Sequence, residues 1–280
     1  MKRPGGWITT VLWTGGLAWL VTVAAGGVWT WLLLANLATT PSLPWATAVM
    51  ALVLWSIWSY LGGKGPTGRT SEARRRYLRA NPLSVPVFTW ALLAGTLCVV
   101  SLAGLWIVLF QLVRFSGNAV PDLSRYPIPT VVAILAMASL VSSVVEEAGF
   151  RGYFQGVLEG HLGGAAAVLL TDVLIAPAHS LTQGFVWPTV LFYFLVDTML
   201  GTSAYLTKSI LPGVTVHAIG LLIFFGLVWP GDRQRESVWH SGADLWFWIH
   251  VTQSVVFAVL GAMAFVRLAR LAESKRATTS

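Results

Sequence analysis

Between Pro4 and Gly63 the chain carries not one Asp, Glu, Lys or Arg. A run of that length holds two apolar spans of about 20 residues each, divided at Thr39-Thr40-Pro41-Ser42-Leu43-Pro44. Further charge-free runs cover Ala80 to Val113, Tyr126 to Val145, Val173 to Val196, Ser209 to Gly231 and Leu245 to Val266, with a shorter one from Gly163 to Thr171. With 56% hydrophobic and 10% charged residues over 280 positions, a water-soluble globule with an ordinary surface is excluded. The pattern predicts an all-α polytopic membrane protein, a bundle of about eight transmembrane helices forming one integral domain over 1–280. Within it we expect a two-helix hairpin at 7–62, a basic cytoplasmic loop at 62–86, a core at 129–229, a last transmembrane helix at 245–267 and a polar, disordered tail within 268–280. Lys2 and Arg3 precede an apolar run much longer than a secretory h-region, which predicts a retained first span instead of a cleaved signal.

Basic residues set the orientation, because loops rich in Lys and Arg stay in the cytoplasm. With both termini inside, 14 of the 18 fall on the cytoplasmic side, leaving Arg114, Arg125, Arg233 and Arg235 outside; the inverted topology reverses that ratio. The formal charge of +7 raises the question of nucleic acid, but these residues cluster beside spans, where topology and anionic lipid account for them. No nucleic-acid partner is expected. Of the 15 tryptophans, Trp7, Trp45, Trp229 and Trp246 lie near predicted span ends and read as interfacial anchors. Cys98, the single cysteine, precludes an internal disulfide and a cysteine-rich zinc site and reads as packing.

Against this apolar background stands Glu146-Glu147-Ala148-Gly149-Phe150-Arg151. An ionisable group at membrane depth costs roughly 2.5 to 3.5 kcal/mol on insertion scales, so three together call for a compensating site. Glu147 and Arg151 are spaced i, i+4 and can pair on one helix face. Adjacent α-helical residues point about 100° apart, so Glu146 is expected to face a different target from Glu147, free to act as a general base on water. Its candidate partners are His179 on the next span and His217. If the chain reverses near His161 to Gly164, Glu147 and His179 lie about 15 and 16 residues from the turn, at similar depth on antiparallel helices. Asp172 lies two turns before His179 and is a candidate to orient its imidazole; Asp197 is a further buried acid, equally suited to a helix-helix hydrogen bond. His250 reads as a packed histidine, and His161 and His240 as turn and loop residues.

The string Glu-Glu-x-x-Phe-Arg-Gly at Glu146 to Gly152, its Tyr-Phe-Gln-Gly continuation and the two separated histidines resemble the CAAX protease and bacteriocin-processing (CPBP, or Abi) family of intramembrane endopeptidases. The resemblance covers roughly 129–225, including Tyr205-Leu206-Thr207-Lys208-Ser209 ahead of Leu211-Pro212 and His217-Ala218. It implies that Glu146 activates the attacking water with Glu147 and Arg151 in support, while His179 and His217 bind the polarised carbonyl or a metal. Two mechanisms stay open: a metal-free glutamic protease in which the imidazoles stabilise the oxyanion, and a metalloprotease in which Glu146, His179 and His217 hold a divalent ion such as zinc. Two positions depart from the family pattern. Ile175 stands where Phe is usual four residues before the middle histidine, and Leu221 replaces an Asn or Asp four residues after the last one.

Three function classes are therefore weighed. The leading one is an endopeptidase of a bacterial-type plasma membrane, with both termini cytoplasmic, cutting a membrane-associated protein or peptide. The second, which Leu221 favours, is a non-catalytic relative that binds such a peptide. The third is a proton-coupled transporter, for which no inverted repeat or paired broken helices are visible.

Overall fold

The computed structural model describes residues 6–113, 123–183 and 185–279, with the backbone alone at 177, 178, 180–183, 233 and 275–279. Lys2, Arg3 and Arg114, which carry part of the orientation argument, lie outside the described residues. The fold is all-helical, with no strand among the described residues. In chain order the α-helices are α1 (Gly6–Thr39), α2 (Trp45–Leu61), α3 (Ser71–Leu78), α4 (Val85–Leu112), α5 (Ile128–Glu146), α6 (Gln155–Leu162), α7 (Gly164–Gln183), α8 (Trp187–Thr207), α9 (Leu211–Ile223), α10 (Val238–Ser241) and α11 (Leu245–Thr279). A π-helical segment, Glu147–Phe154, joins α5 to α6, and π and 3-10 segments at Phe224–Val228 and Trp229–Gln234 extend α9.

Among the described residues six helical stretches are long and apolar enough to cross a membrane: Trp7–Thr39, Val85–Leu112, Ile128–Leu162, Trp187–Thr207, Leu211–Asp232 and Leu245–Ser274. Two shorter apolar helices, Trp45–Leu61 and Gly164–Ala176, bring the set close to the expected eight. Their starts are written in the sequence. Pro86, Pro129, Pro188 and Pro212 each stand second in their helix, where no intrahelical N–H is needed and the ring's fixed φ suits the first turn. Between α6 and α7 the break falls at Gly163, whose φ of +81° is open to glycine.

The chain divides into two compact units. The first comprises Met1–Pro82, Pro121–Ala167 and Lys208–Ala218. In it α1, α2 and α5 share a core of Trp29, Leu32, Met50, Leu54, Ile134, Met137 and Val141. The α1–α2 turn is fastened by Asn36, which is fully buried: its Nδ2 donates to the carbonyls of Thr40 and Leu43, and its Oδ1 accepts from the N–H of Ala46, each at 2.9 Å. The basic segment that follows is more than an orientation signal. Arg74 is buried, with its guanidinium 4.0 Å from the Tyr60 ring centroid and donating to the carbonyls of Tyr60 and Lys64 at 2.6 and 3.1 Å.

The second unit comprises Leu83–Val120, Val168–Thr207 and Ile219–Ser280. Here α4 lies along α11 at close range: a Cβ on Gly104 would stand 2.8 Å from the His250 carbonyl, and one on Gly261 would stand 2.6 Å from Cys98 Sγ. Ser101 donates to the Ser254 carbonyl at 2.7 Å and Gln253 to the Val100 carbonyl at 2.8 Å. Trp106, fully buried, sits among Phe192, Phe224 and Trp229 and donates to Asp232 at 2.9 Å. Trp229 is thus a core residue, 7% exposed, and not the interfacial anchor its place near a span end suggests; the irregular turns after α9 fold it back onto the aromatic cluster. The stretch expected to be a polar tail also differs. It is helical through Thr279, because Leu268 and Ala272 keep one apolar face going, with Leu268 packed on Val87 and Ala91.

Asn36→Ala strips three hydrogen bonds from a buried turn, and we expect it to lower stability by about 1–3 kcal/mol, read as a lower thermal midpoint of the detergent-purified protein. Thr39→Ala, at an exposed position on the same helix, should leave the midpoint nearly unchanged.

Candidate active site

The acidic motif begins where α5 ends. Glu146 is the last α-helical residue, and Glu147 opens the π segment, in which every residue through Phe154 is buried. A π turn inserts one extra residue and is found mostly as a single-turn bulge at functional sites. Its neighbours explain the motif's composition. Gly149 is held against α1, where a Cβ would stand 3.1 Å from Ala18 Cα, and Gly152 against the end of α3, where a Cβ would meet the carbonyls of Leu78 and Tyr77 at 2.8 and 3.0 Å. Phe150 meets Trp19 edge-on at 5.5 Å between centroids, and the Tyr153 hydroxyl donates to the Arg74 carbonyl at 3.3 Å. The glycines therefore allow helix contact without breaking the helix.

Glu147 and Arg151 are both 0% exposed, and Arg151 Nη1 lies 3.5 Å from Glu147 Oε1. The same oxygen is 3.2 Å from His217 Nδ1. Glu147 Oε2 lies over α9, where a Cβ on Gly213 would come within 2.5 Å of it. One carboxylate thus covers the single turn of α9 from Gly213 to His217. Glu146 approaches the other end of the imidazole: its Oε2 is 4.0 Å from His217 Nε2, beyond hydrogen-bond length. At 12% its side chain is more accessible than that of Glu147.

This corrects one expectation. Glu146 and Glu147 do converge on a common target, His217, one at each ring nitrogen. Directions at Cβ on an α-helix do differ by about 100° between neighbours, but the two residues straddle the α-to-π junction and His217 stands between their long side chains. The difference between them is one of exposure. Glu147 is enclosed by Arg151, His217 and Gly213, and Glu146 keeps a small exposed part of its side chain while its Oε2 is buried toward His217.

The remaining candidates belong to the second unit. His179, in α7, stacks on Tyr193 of α8 with centroids 4.4 Å apart and planes 18° from parallel. Asp172, fully buried, accepts a hydrogen bond from Thr198 at 2.8 Å, a link between α7 and α8. Asp197 is 2% exposed, next to Thr198 in α8. Ile175 is buried four residues before His179, and Leu221 is half-buried one turn beyond His217 along α9. His250 pairs with Gln253 at 3.1 Å, and His161 bonds the Val157 carbonyl at 2.9 Å and stacks on Trp7. Gly213 and Tyr193 carry no sequence signal of their own beyond standing four residues before one histidine and near the other's helix.

Among the described residues no three His, Cys, Asp or Glu side chains are gathered so as to hold a metal ion.

Residues 128–223, about a third of the chain, match the family model described as Rce1-like, type II CAAX prenyl endopeptidase. The match covers the acidic motif and both histidines and bears out the CPBP resemblance over this segment. No curated protein and no solved structure shows a significant match to the chain. With its apolar spans, the chain is an integral membrane protein similar, over that segment, to a family of membrane proteases.

Removing one partner of a buried pair strands the other charge. We expect Arg151→Met to cost about 3–5 kcal/mol, and the double variant Glu147→Gln/Arg151→Met to recover a large part of that loss in thermal unfolding. Gly213→Ala must displace either the Glu147 carboxylate or α9, with an expected cost of about 1–3 kcal/mol by the same measurement.

Proposed function

We propose that the chain is an intramembrane endopeptidase in which Glu146 is the general base and His217 its imidazole partner. The observation that carries this reading is the placement of His217 between two carboxylates, in a segment that matches a protease family. Glu147 orients the ring by its contact with Nδ1, and Arg151 offsets the charge of Glu147. That leaves Nε2 facing Glu146 across 4.0 Å, a gap that one bridging water spans. A water held there is within reach of a carboxylate that can take its proton, the geometric requirement for general-base catalysis. As Oε2 of Glu146 takes the proton, the water oxygen adds to the scissile carbonyl, and the proton then passes to the leaving amine. With Nδ1–H given to Glu147, Nε2 donates to the developing oxyanion when the ring is in its imidazolium form, and such preorganised donors supply a large share of the rate in acyl transfer. The resemblance gives His179 the second such role.

The substrate class that fits is a membrane-associated protein or peptide, since the site residues lie on apolar spans. The name of the matched family suggests a prenylated carboxyl-terminal segment as one such substrate. The cytoplasmic placement of both termini in a bacterial-type plasma membrane is part of the same proposal, resting on the distribution of Lys and Arg. Leu221 supports a second reading. It can neither donate to an oxyanion nor ligate an ion, so a chain that binds such a peptide without cutting it is the alternative.

Terminal mapping of membrane proteins from cells that express the chain tests both. We expect new amino termini with the wild type and their loss with Glu146→Gln at equal abundance; cleavage that survives Glu146→Gln removes Glu146 from catalysis, and no new termini with either supports the binder. Substitution of His179 or His217 by Ala should lower cleavage by about 10²–10⁴-fold, the range for a lost proton-transfer or oxyanion group. Metal content of the purified protein, with activity before and after chelation, separates the glutamic from the metal-assisted mechanism.

A further inference from the structure

We propose that Glu159, Arg79 and Lys208 form a positioning clamp that sets α9, and with it His217, against the helix carrying Glu146 and Glu147. The inference rests on the catalytic reading of the preceding subsection for its functional meaning. Its geometry lies wholly within the first unit.

Glu159 is in α6, three turns beyond Glu147, and its side chain is 9% exposed. Arg79 reaches it with both arms, Nη1 to Oε1 at 3.0 Å and Nη2 to Oε2 at 3.3 Å. Lys208 Nζ donates to Oε2 at 2.7 Å and Gln155 Nε2 to Oε1 at 2.9 Å. A two-armed guanidinium contact fixes direction as well as distance. The two cations come from segments far apart in sequence, one following α3 and the other preceding α9.

The main chain ties the same segments together. The N–H of Ile210 donates to the Arg79 carbonyl at 3.1 Å, Asn81 Nδ2 to the Lys208 carbonyl at 2.7 Å, and Ser209 Oγ to the Asn81 carbonyl at 2.7 Å. Arg79 and Lys208 are the two non-glycine residues with positive φ among those described, 57° and 53°. Left-handed backbone at a side-chain-bearing residue is unfavourable unless its surroundings impose it, and here both instances flank one carboxylate. Gly156 leaves room for the arginine, since a Cβ there would stand 3.1 Å from Arg79 Cδ.

Two links lead from the clamp to the site. Arg79 Nη1 also donates to the carbonyl of Arg151 at 3.2 Å, the residue paired with Glu147. Ile210 and Ser209 lead directly into α9, whose first turns put Gly213 beneath Glu147 and His217 between the two carboxylates. A shift of this entry point moves both. Displacement of about 1 Å remote from the chemistry can cost about a hundredfold in rate.

The test uses the full chain in detergent with ¹⁵N-labelled histidine, the ring resonances of His217 assigned by their loss in His217→Gln. Glu159→Gln and Lys208→Met are compared with Glu72→Gln, which removes the exposed Arg76–Glu72 pair of α3. We expect both clamp variants to shift the His217 ring signals while those of His250 stay in place, and Glu72→Gln to shift neither. On a quenched peptide spanning a mapped cleavage site, kcat should fall about ten- to hundredfold with KM nearly constant. Arg79→Lys, which keeps the charge without the fork, should show an intermediate loss. Unmoved His217 signals in both variants overturn the clamp whether or not the chain cleaves peptides; if Glu159→Gln fails to fold, Lys208→Met decides. Cleavage untouched by Glu146→Gln overturns the catalytic reading instead, and the His217 signals still decide the clamp.

Discussion

A charge that cannot be hydrated must be answered by another charge close by, and the first unit of this protein is arranged around that requirement. Glu147 has no exposure and is met by Arg151 on its own helix and His217 on another. The pairing is weak evidence for stability in itself, since burying two ions costs about as much as their attraction returns. Its bearing is on arrangement, because each misplacement of α9 or of the π segment would leave an ion unanswered. The glycines at 149, 152 and 213 follow from the same demand. They bring α1, α3 and α9 close enough to exclude water from the ions.

The two carboxylates differ in surroundings, and that difference gives them different chemistry. Glu147 is bound on several sides and acts on the orientation of the imidazole. Glu146 keeps some side-chain exposure and faces the other nitrogen at 4.0 Å, beyond direct hydrogen-bond length. A neighbouring pair of identical residues is thereby made unequal by its environment, the general route by which a site assigns separate tasks to like groups.

Much of the architecture was legible in the sequence, because lipid exposure writes itself as runs without charge and helix starts write themselves as a proline in second place. The gathering of Glu146, Glu147, Arg151 and His217 was legible for a related reason: ionisable groups in such runs are too costly to be incidental. What could not be read has physical causes as well. The π turn has no residue signature, so an α-helical wheel misdirected Glu146. Trp229 near a span end suits an interface on average, but irregular turns after α9 returned it to the core. Arg74, Arg79 and Lys208 look like topology signals, as most cations beside spans do, and their partners in space are set by no periodicity: Glu159 is 80 residues from Arg79 and 49 from Lys208.

The π segment also bears on how the helix from Ile128 to Leu162 is used. One additional residue in a turn sets everything after it back by about 100° around the axis relative to an uninterrupted α-helix. The face of α6 that presents Gly156 and Glu159 is therefore in a different phase from the face of α5 that ends in Glu146. Were the same residues wound as an uninterrupted α-helix, length, apolarity and motif letters would all stay intact, yet the two halves would look toward different neighbours; loss of one residue together with the π turn would instead restore their present phase.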